Sequence, residues 1–340
     1  MSHNLNFQKI VNQIQSGKPD IHISENFRNY KEDSLRLVKT IINTLEKKKF
    51  EIDALYFENI HMVFSKEAIT LLTKYLKTNK TISELYLKIS FEDIEQAFID
   101  IGNLFRNNKT LHHFGLFQDE DNEEIENFNK SMKYLTYGLS TAKLYSLSFT
   151  GAGLESKGAS EIAKIIRNPN TVLDSLDLTE NYISKNSFKS TLLPALRKNV
   201  SLTTFSLDDA LEYYEDQEEI QALVDFELSK NRIIQEWWEE YRSPPSGFFT
   251  KAQQKYIKGK SNQRGTVQNF NTANVPLDVR FMIQAFIPKN FKSNIDKFMN
   301  WIQDKKEDAY ERRAILTKLR NYKKSFQDKD TVFKYESKIL

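Results

Sequence analysis

The phrase L-x-x-L-x-L returns along the chain at nearly fixed spacing, and this periodicity constrains the fold more than any other feature of the 340 residues. It reads IDALYF (52–57), ISELYL (82–87), LHHFGL (111–116), LYSLSF (144–149), LDSLDL (173–178) and LTTFSL (202–207), after a worn first copy, DIHISENF (20–27). The anchors Leu55, Leu85, Phe114, Leu147, Leu176 and Phe205 fall 29 to 33 residues apart, a period that belongs to repeat architectures. Alternation in the last three residues of each phrase predicts a strand. Helical segments lie between the phrases. In KEAITLLTKYLKT, residues Ile69, Leu72, Tyr75 and Leu76 make one apolar face. Ser156 is placed to cap the helix that follows LSF. Each unit is thus strand, turn and helix. None can bury its apolar side alone, so neighbouring units must stack.

The stretch LDSLDLTENYISKNSFKSTLLPALRKNVSLTTFSL (173–207) resembles the ribonuclease-inhibitor type of leucine-rich repeat, and the resemblance extends over residues 20–241. It implies an α/β solenoid with parallel strands inside and helices outside, and a partner protein held on the concave face. The asparagine that follows the strand in such repeats is present as Asn181, while the matching places hold Ile60, Ser90, Asp119 and Ala152. Irregular turns are therefore expected, and the insert QDEDNEEIEN (118–127) points the same way. Asn79, Asn108 and Asn199 each open an N-x-[ST] sequon. Their recurrence where helix returns to strand marks them as turn residues.

Charge divides the chain in two. Residues 243–340 hold 20 Lys and Arg against 9 Asp and Glu, which leaves 29 against 37 for residues 1–242. Such asymmetry predicts different surroundings for the two halves. The expected order is an N-terminal helical cap (1–19), the solenoid closed by a capping helix (20–241), a linker (242–277), and a basic all-α domain (278–340). Within the capping helix, Ile234, Trp237, Trp238 and Tyr241 share one face. SPPSG (243–247) ends it.

The chain has no cysteine, which removes disulfides, thiolate metal sites and cysteine nucleophiles. No signal peptide or membrane-spanning stretch is read, so a soluble protein is expected. The Asn/Lys/Ile-rich composition, divergent repeats and basic helical appendage together resemble leucine-rich-repeat effectors that Legionella-type bacteria inject into host cells by type IV secretion. The C-terminal KYESKIL is similar to the short signals of such substrates. That resemblance implies delivery to the host cytoplasm without a cleaved leader, and a host protein as partner.

Because side chains alternate across a strand, the residues between the leucines can be assigned to the open face. One row is Ala54, Glu84, His113, Ser146, Ser175 and Thr204; the next is Tyr56, Tyr86, Gly115, Ser148, Asp177 and Ser206; the third is Glu58, Lys88, Phe117, Thr150, Thr179 and Asp208. Tyr56, Tyr86, Lys88, His113, Phe117 and Asp177 are the expected partner-binding residues, since exposed aromatics make binding hot spots. In the basic domain Arg312, Arg313, Arg320, Lys323 and Lys324 form a basic surface able to meet anionic lipid or nucleic acid. No cofactor, metal site or catalytic residue is assigned. The five histidines lack metal-ligand spacing, and no orienting group or oxyanion loop accompanies His113 and Ser146. A binding module is the expected function. The alternative is an enzyme whose site lies in 248–340, with the repeats selecting its substrate.

Overall fold

The computed structural model describes residues 2–24, 31–48, 52–58, 62–117, 122–168, 171–207, 217–240 and 316–317. The chain begins with α1 (Ser2–Gln15), β1 (Asp20–Ile23), α2 (Lys31–Lys48), β2 (Ala54–Phe57) and β3 (Val63–Phe64). It continues through α3 (Lys66–Thr78), β4 (Glu84–Lys88), β5 (Ser90–Phe91), α4 (Ile94–Asn107), β6 (His113–Phe117) and α5 (Asn122–Leu139). After β7 (Ser146–Ser148), α6 (Ser156–Arg167) and β8 (Ser175–Asp177) comes a helix in three parts. These are α7 (Lys185–Ser187), a π-helical turn (Phe188–Leu192) and α8 (Leu193–Leu196). The chain then forms β9 (Thr204–Ser206) and α9 (Gln217–Glu240).

Seven strands form one parallel sheet in the order β1-β2-β4-β6-β7-β8-β9, so each new strand pairs with the one before it. Parallel neighbours need a crossover of a dozen or more residues, and the helical segments supply it. The leucine anchors set the register. Ile21, Leu55, Leu85, Phe114, Leu147, Leu176 and Phe205 are successive partners across all seven strands. They are buried in one core with the inner faces of the helices. In α3 the residues turned inward are Ala68, Ile69, Leu72, Thr73 and Leu76, and Tyr75 packs half-buried beside them. In α9 they are Ile220, Val224 and Leu228, one turn apart, and α9 packs on α8 and β9. The side chains of Trp237 and Trp238, the whole of Tyr241 and the segments 242–277 and 278–315 lie outside the described residues.

Three local findings depart from the sequence reading. β3 and β5 pair in a second, two-stranded parallel sheet. Ser90, expected at a turn, donates its N–H to Met62 O there (3.0 Å). Main-chain pairing thus does for the early turns what asparagine does later. At Asn181 the side chain itself bridges two turns: Nδ2 donates to Phe149 O and Leu178 O, and Oδ1 accepts from Leu154 N. Second, Ser156 does not cap α6. The cap position is Glu155, whose side chain makes no capping bond. Asn129 of α5 takes over instead, its Oδ1 accepting from Glu155 N (2.9 Å) and Gly158 N (3.0 Å). Third, the helix before β9 opens into a π turn, with Leu193 N donating to Phe188 O. Pro194, which has no N–H and crowds the carbonyl four residues back, stands in the next turn.

The sequon asparagines have both amide ends engaged. Oδ1 of Asn108 accepts from Thr110 N and Leu111 N, while Nδ2 donates to Leu76 O of the preceding unit (2.6 Å). Asn199 repeats the pattern with Ser201 N, Leu202 N and Ile166 O. Asn79 accepts from Thr81 N and Ile82 N. Asn108 and Asn199 thus fasten their helix ends to the preceding unit, while Asn79 Nδ2 donates to the Tyr75 hydroxyl of its own helix (3.3 Å).

Candidate functional site

The sheet turns its leucines into the core and its intervening residues away from it, as the alternating burial of β1 and β4 records. The expected rows are in register. His22, Tyr56, Tyr86, Gly115, Ser148, Asp177 and Ser206 are successive partners, as are Asp20, Ala54, Glu84, His113, Ser146, Ser175 and Thr204. Ala54 is buried at 1 % exposure, since a methyl group lies beneath longer neighbours. Asp208 lies outside the described residues.

The first four strands bring the aromatic rings together. Tyr56 stacks on His22 (centroids 4.4 Å, 3° between planes) and on Tyr86 (5.3 Å, 28°), and Tyr86 meets Phe117 at 6.1 Å. Gly115 makes room for this ladder. A Cβ there would lie 2.2 Å from Tyr86 Cε1, so the Tyr86 ring occupies the place where residue 115 would carry its side chain. Lys88 holds its ammonium 5.9 Å from the Phe117 ring centre, within cation–π range.

Polar groups fix the ladder at its edges. Tyr56 donates its hydroxyl to Glu84 Oε2 (2.7 Å), and His22 Nδ1 sits 3.1 Å from Glu58 Oε1. Burial, the bond to Glu84 and nearby carboxylates all hold the Tyr56 hydroxyl protonated well above its ordinary range. Tyr86 is shifted up too, by burial first and then by the charges of Glu84 and Asp177. His113 is not part of the stack. It lies in the other row, its ring tilted against Tyr145 at 5.8 Å, and burial lowers its pKa against the opposing pull of Glu84.

Beyond the ladder the described residues of the face carry hydroxyls and the carboxylate of Asp177. Asp177 accepts from Thr150 Oγ1 (2.9 Å) and from Thr179 N (3.0 Å), and Ser148 Oγ lies 2.9 Å from Thr150 Oγ1. Of the expected binding residues, the structure therefore joins Tyr56, Tyr86, Lys88 and Phe117, and sets His113 and Asp177 beside them. Sequence reasoning missed His22, although it fills the open position of the worn first copy, and it missed the space-making role of Gly115. Arg312, Arg313, Arg320, Lys323 and Lys324 lie outside the described residues.

A second concavity, about 660 Å³, opens where α3 and α4 begin, lined in part by Lys66, Glu67, Asp93 and Lys130. Three of its charged side chains are engaged: Asp93 caps Gln96 N (3.0 Å), Glu95 accepts from the Tyr134 hydroxyl (3.0 Å) and Lys130 pairs with Glu126 (2.7 Å). Among the described residues no helix is long and apolar enough to cross a membrane. No protein-family model matches the chain, and no curated protein matches its sequence.

Proposed function

We propose that the protein is a leucine-rich-repeat solenoid of the ribonuclease-inhibitor type whose open sheet face binds another protein. One observation carries this reading: Tyr56, Tyr86 and Phe117, spread over sequence separations of about thirty residues, meet in one half-buried aromatic ladder on the side of the sheet away from the core. The in-order parallel sheet and the period of its anchors support the repeat assignment. Stacked, edge-fixed rings lose little freedom when covered, which suits them to anchor a partner. The resemblance to injected effectors makes a host protein the partner class. A basic helical region after residue 277 remains part of this proposal, adding contacts of its own.

The test is affinity capture with the intact chain and with Tyr86→Ser and Phe117→Ser. Loss of a central anchor costs about 2 kcal/mol or more, so each change is expected to weaken a captured partner about thirtyfold, with the thermal midpoint nearly unchanged. Unaltered capture by both variants would refute the assignment of this face.

A further inference from the structure

We infer that the two ends of the main sheet are matched edges on which a second copy of this chain would dock head to tail, and that Gln13 and Arg232 hold those edges shut by standing in for a neighbouring strand. The inference concerns the ends of the sheet and is independent of what the aromatic face binds.

The main-chain pattern shows which groups an added strand would use. The carbonyl just before each strand accepts two successive N–H groups from the next strand. Pro19 O takes Asp53 and Ala54, Asp53 O takes Ser83 and Glu84, and the series runs on to Asp174 O, which takes Thr203 and Thr204. Thr203 O is the seventh of the series, and no eighth strand follows it in the sheet among the described residues. Arg232 of α9 donates Nη2 to this carbonyl instead (3.1 Å), and Asn231 Nδ2 donates to Leu202 O beside it (2.7 Å). At the other end, Pro19 O and Ile23 O serve β2, so His22 turns its N–H and C=O to the outer side of β1. Gln13 of α1 meets both. With its amide turned as these neighbours require, Nε2 donates to His22 O (2.9 Å) and Oε1 accepts from His22 N (3.0 Å). One side-chain amide thus makes the pair of bonds that the peptide groups of an adjoining strand would make.

These are the groups that a head-to-tail contact would pair. With β1 of one copy set against β9 of another in the register of the sheet, the anchor column would run on from Phe205 to Ile21. Thr203 O would then face residues 19 and 20, and the outward groups of His22 would face β9. A second copy is the fitting occupant because its β1 carries anchor and outward residues in the phase that β9 would receive. Residue 19 blunts the same edge. Where Asp53, Ser83, His112 and their successors each give an N–H to the strand before, the first strand has a proline, which has none. Three sequence choices, at 13, 19 and 232, therefore act on one set of groups. The reason for closing them is geometric: a head-to-tail contact does not close on itself, so open ends would add copies without limit. Both closing helices are terminal in the array, so loosening either leaves the central units in place.

Sedimentation velocity of the full chain tests this, with Gln13→Ala to open the β1 end, Arg232→Ala to open the β9 end, and the double variant. The wild type and each single variant are expected to sediment as one monomeric species. The double variant should grow in mass with concentration. A mixture of the two single variants should form a dimer and stop there, since each copy then offers one open edge. Amide exchange reads the β1 end directly: the His22 N–H should exchange about tenfold faster in Gln13→Ala, and slow again in the mixture. A double variant that stays monomeric with an unchanged circular dichroism spectrum overturns the inference. So does self-association of either single variant alone, because matched edges need one of each kind. Should the double variant lose its fold, the mixture of the two folded single variants decides, and absence of a dimer there overturns the inference as well.

Discussion

Gly115 shows how one missing side chain shapes a surface. An alanine there would place its Cβ inside the Tyr86 ring, and because Tyr86 is only half-buried the ring can swing outward. Gly115→Ala is therefore expected to cost little stability but to break the contact of Tyr86 with its aromatic neighbours. A changed near-ultraviolet circular dichroism signal with a thermal midpoint within a few degrees checks this. His112 acts through charge. Burial pushes its pKa down from 6.5 to about 4, so the fold prefers the neutral ring while the unfolded chain protonates near 6.5. Its contribution is full above pH 6.5 and lost as pH falls toward 4. His113 shifts in the same direction. The thermal midpoint of the wild type should fall more than that of His112→Gln between pH 6.5 and 5, above the range where most carboxylates titrate. Parallel curves would show that His112 is as well solvated folded as unfolded.

At the scale of elements, the closest helix contact is built from two glycines. A Cβ on Gly138 of α5 would lie 2.1 Å from Gly102 O of α4, and one on Gly102 would lie 2.5 Å from Tyr134 O. The neighbours are backbone and cannot turn aside. Gly138→Ala should thus destabilise by about 1–3 kcal/mol through overpacking, read from urea unfolding. Helix ends depend on the asparagine bridges. Asn199→Ala would strip buried partners from Ser201 N, Leu202 N and Ile166 O and is expected to cost about 2 kcal/mol or more. The sequence disclosed these elements unevenly. The strands were legible because Leu85, Phe114 and Leu147 repeat a pattern that only an inward-facing column requires. β3 and β5 were not, since two residues are too few to alternate. The capping of α6 by Asn129 was invisible for another reason: the partner amides lie 26 and 29 residues away. Tyr56, Tyr86 and Phe117 could be placed on one face by parity, but parity carries no information on how far a ring leans, so the stack over Gly115 emerged only in three dimensions.

Across the whole molecule, each helix packs chiefly on its neighbours in the chain, α1 on α2 through α5 on α6, and the sheet follows the same order. Stability in such an array is a sum of units and the interfaces between them. Central strands, flanked on both sides, should exchange their amide hydrogens more slowly than β1 and β9. Leu85→Ala, which truncates a side chain 1 % exposed within the anchor column, should cost about 2–5 kcal/mol and collapse that gradient. Uniform protection from β1 to β9 would indicate a single cooperative block.

The order of the strands also bears on how the chain is made. No strand of the main sheet waits for a partner that lies further along the sequence than the next strand. A chain leaving the ribosome N-terminus first, at about 5–20 residues per second, therefore meets a ready hydrogen-bonding edge each time a new strand emerges. The aromatic ladder is complete once β6 has been added. Once the fifth helix has left the ribosome, the rings of Tyr56, Tyr86 and Phe117 have every strand they need to stack.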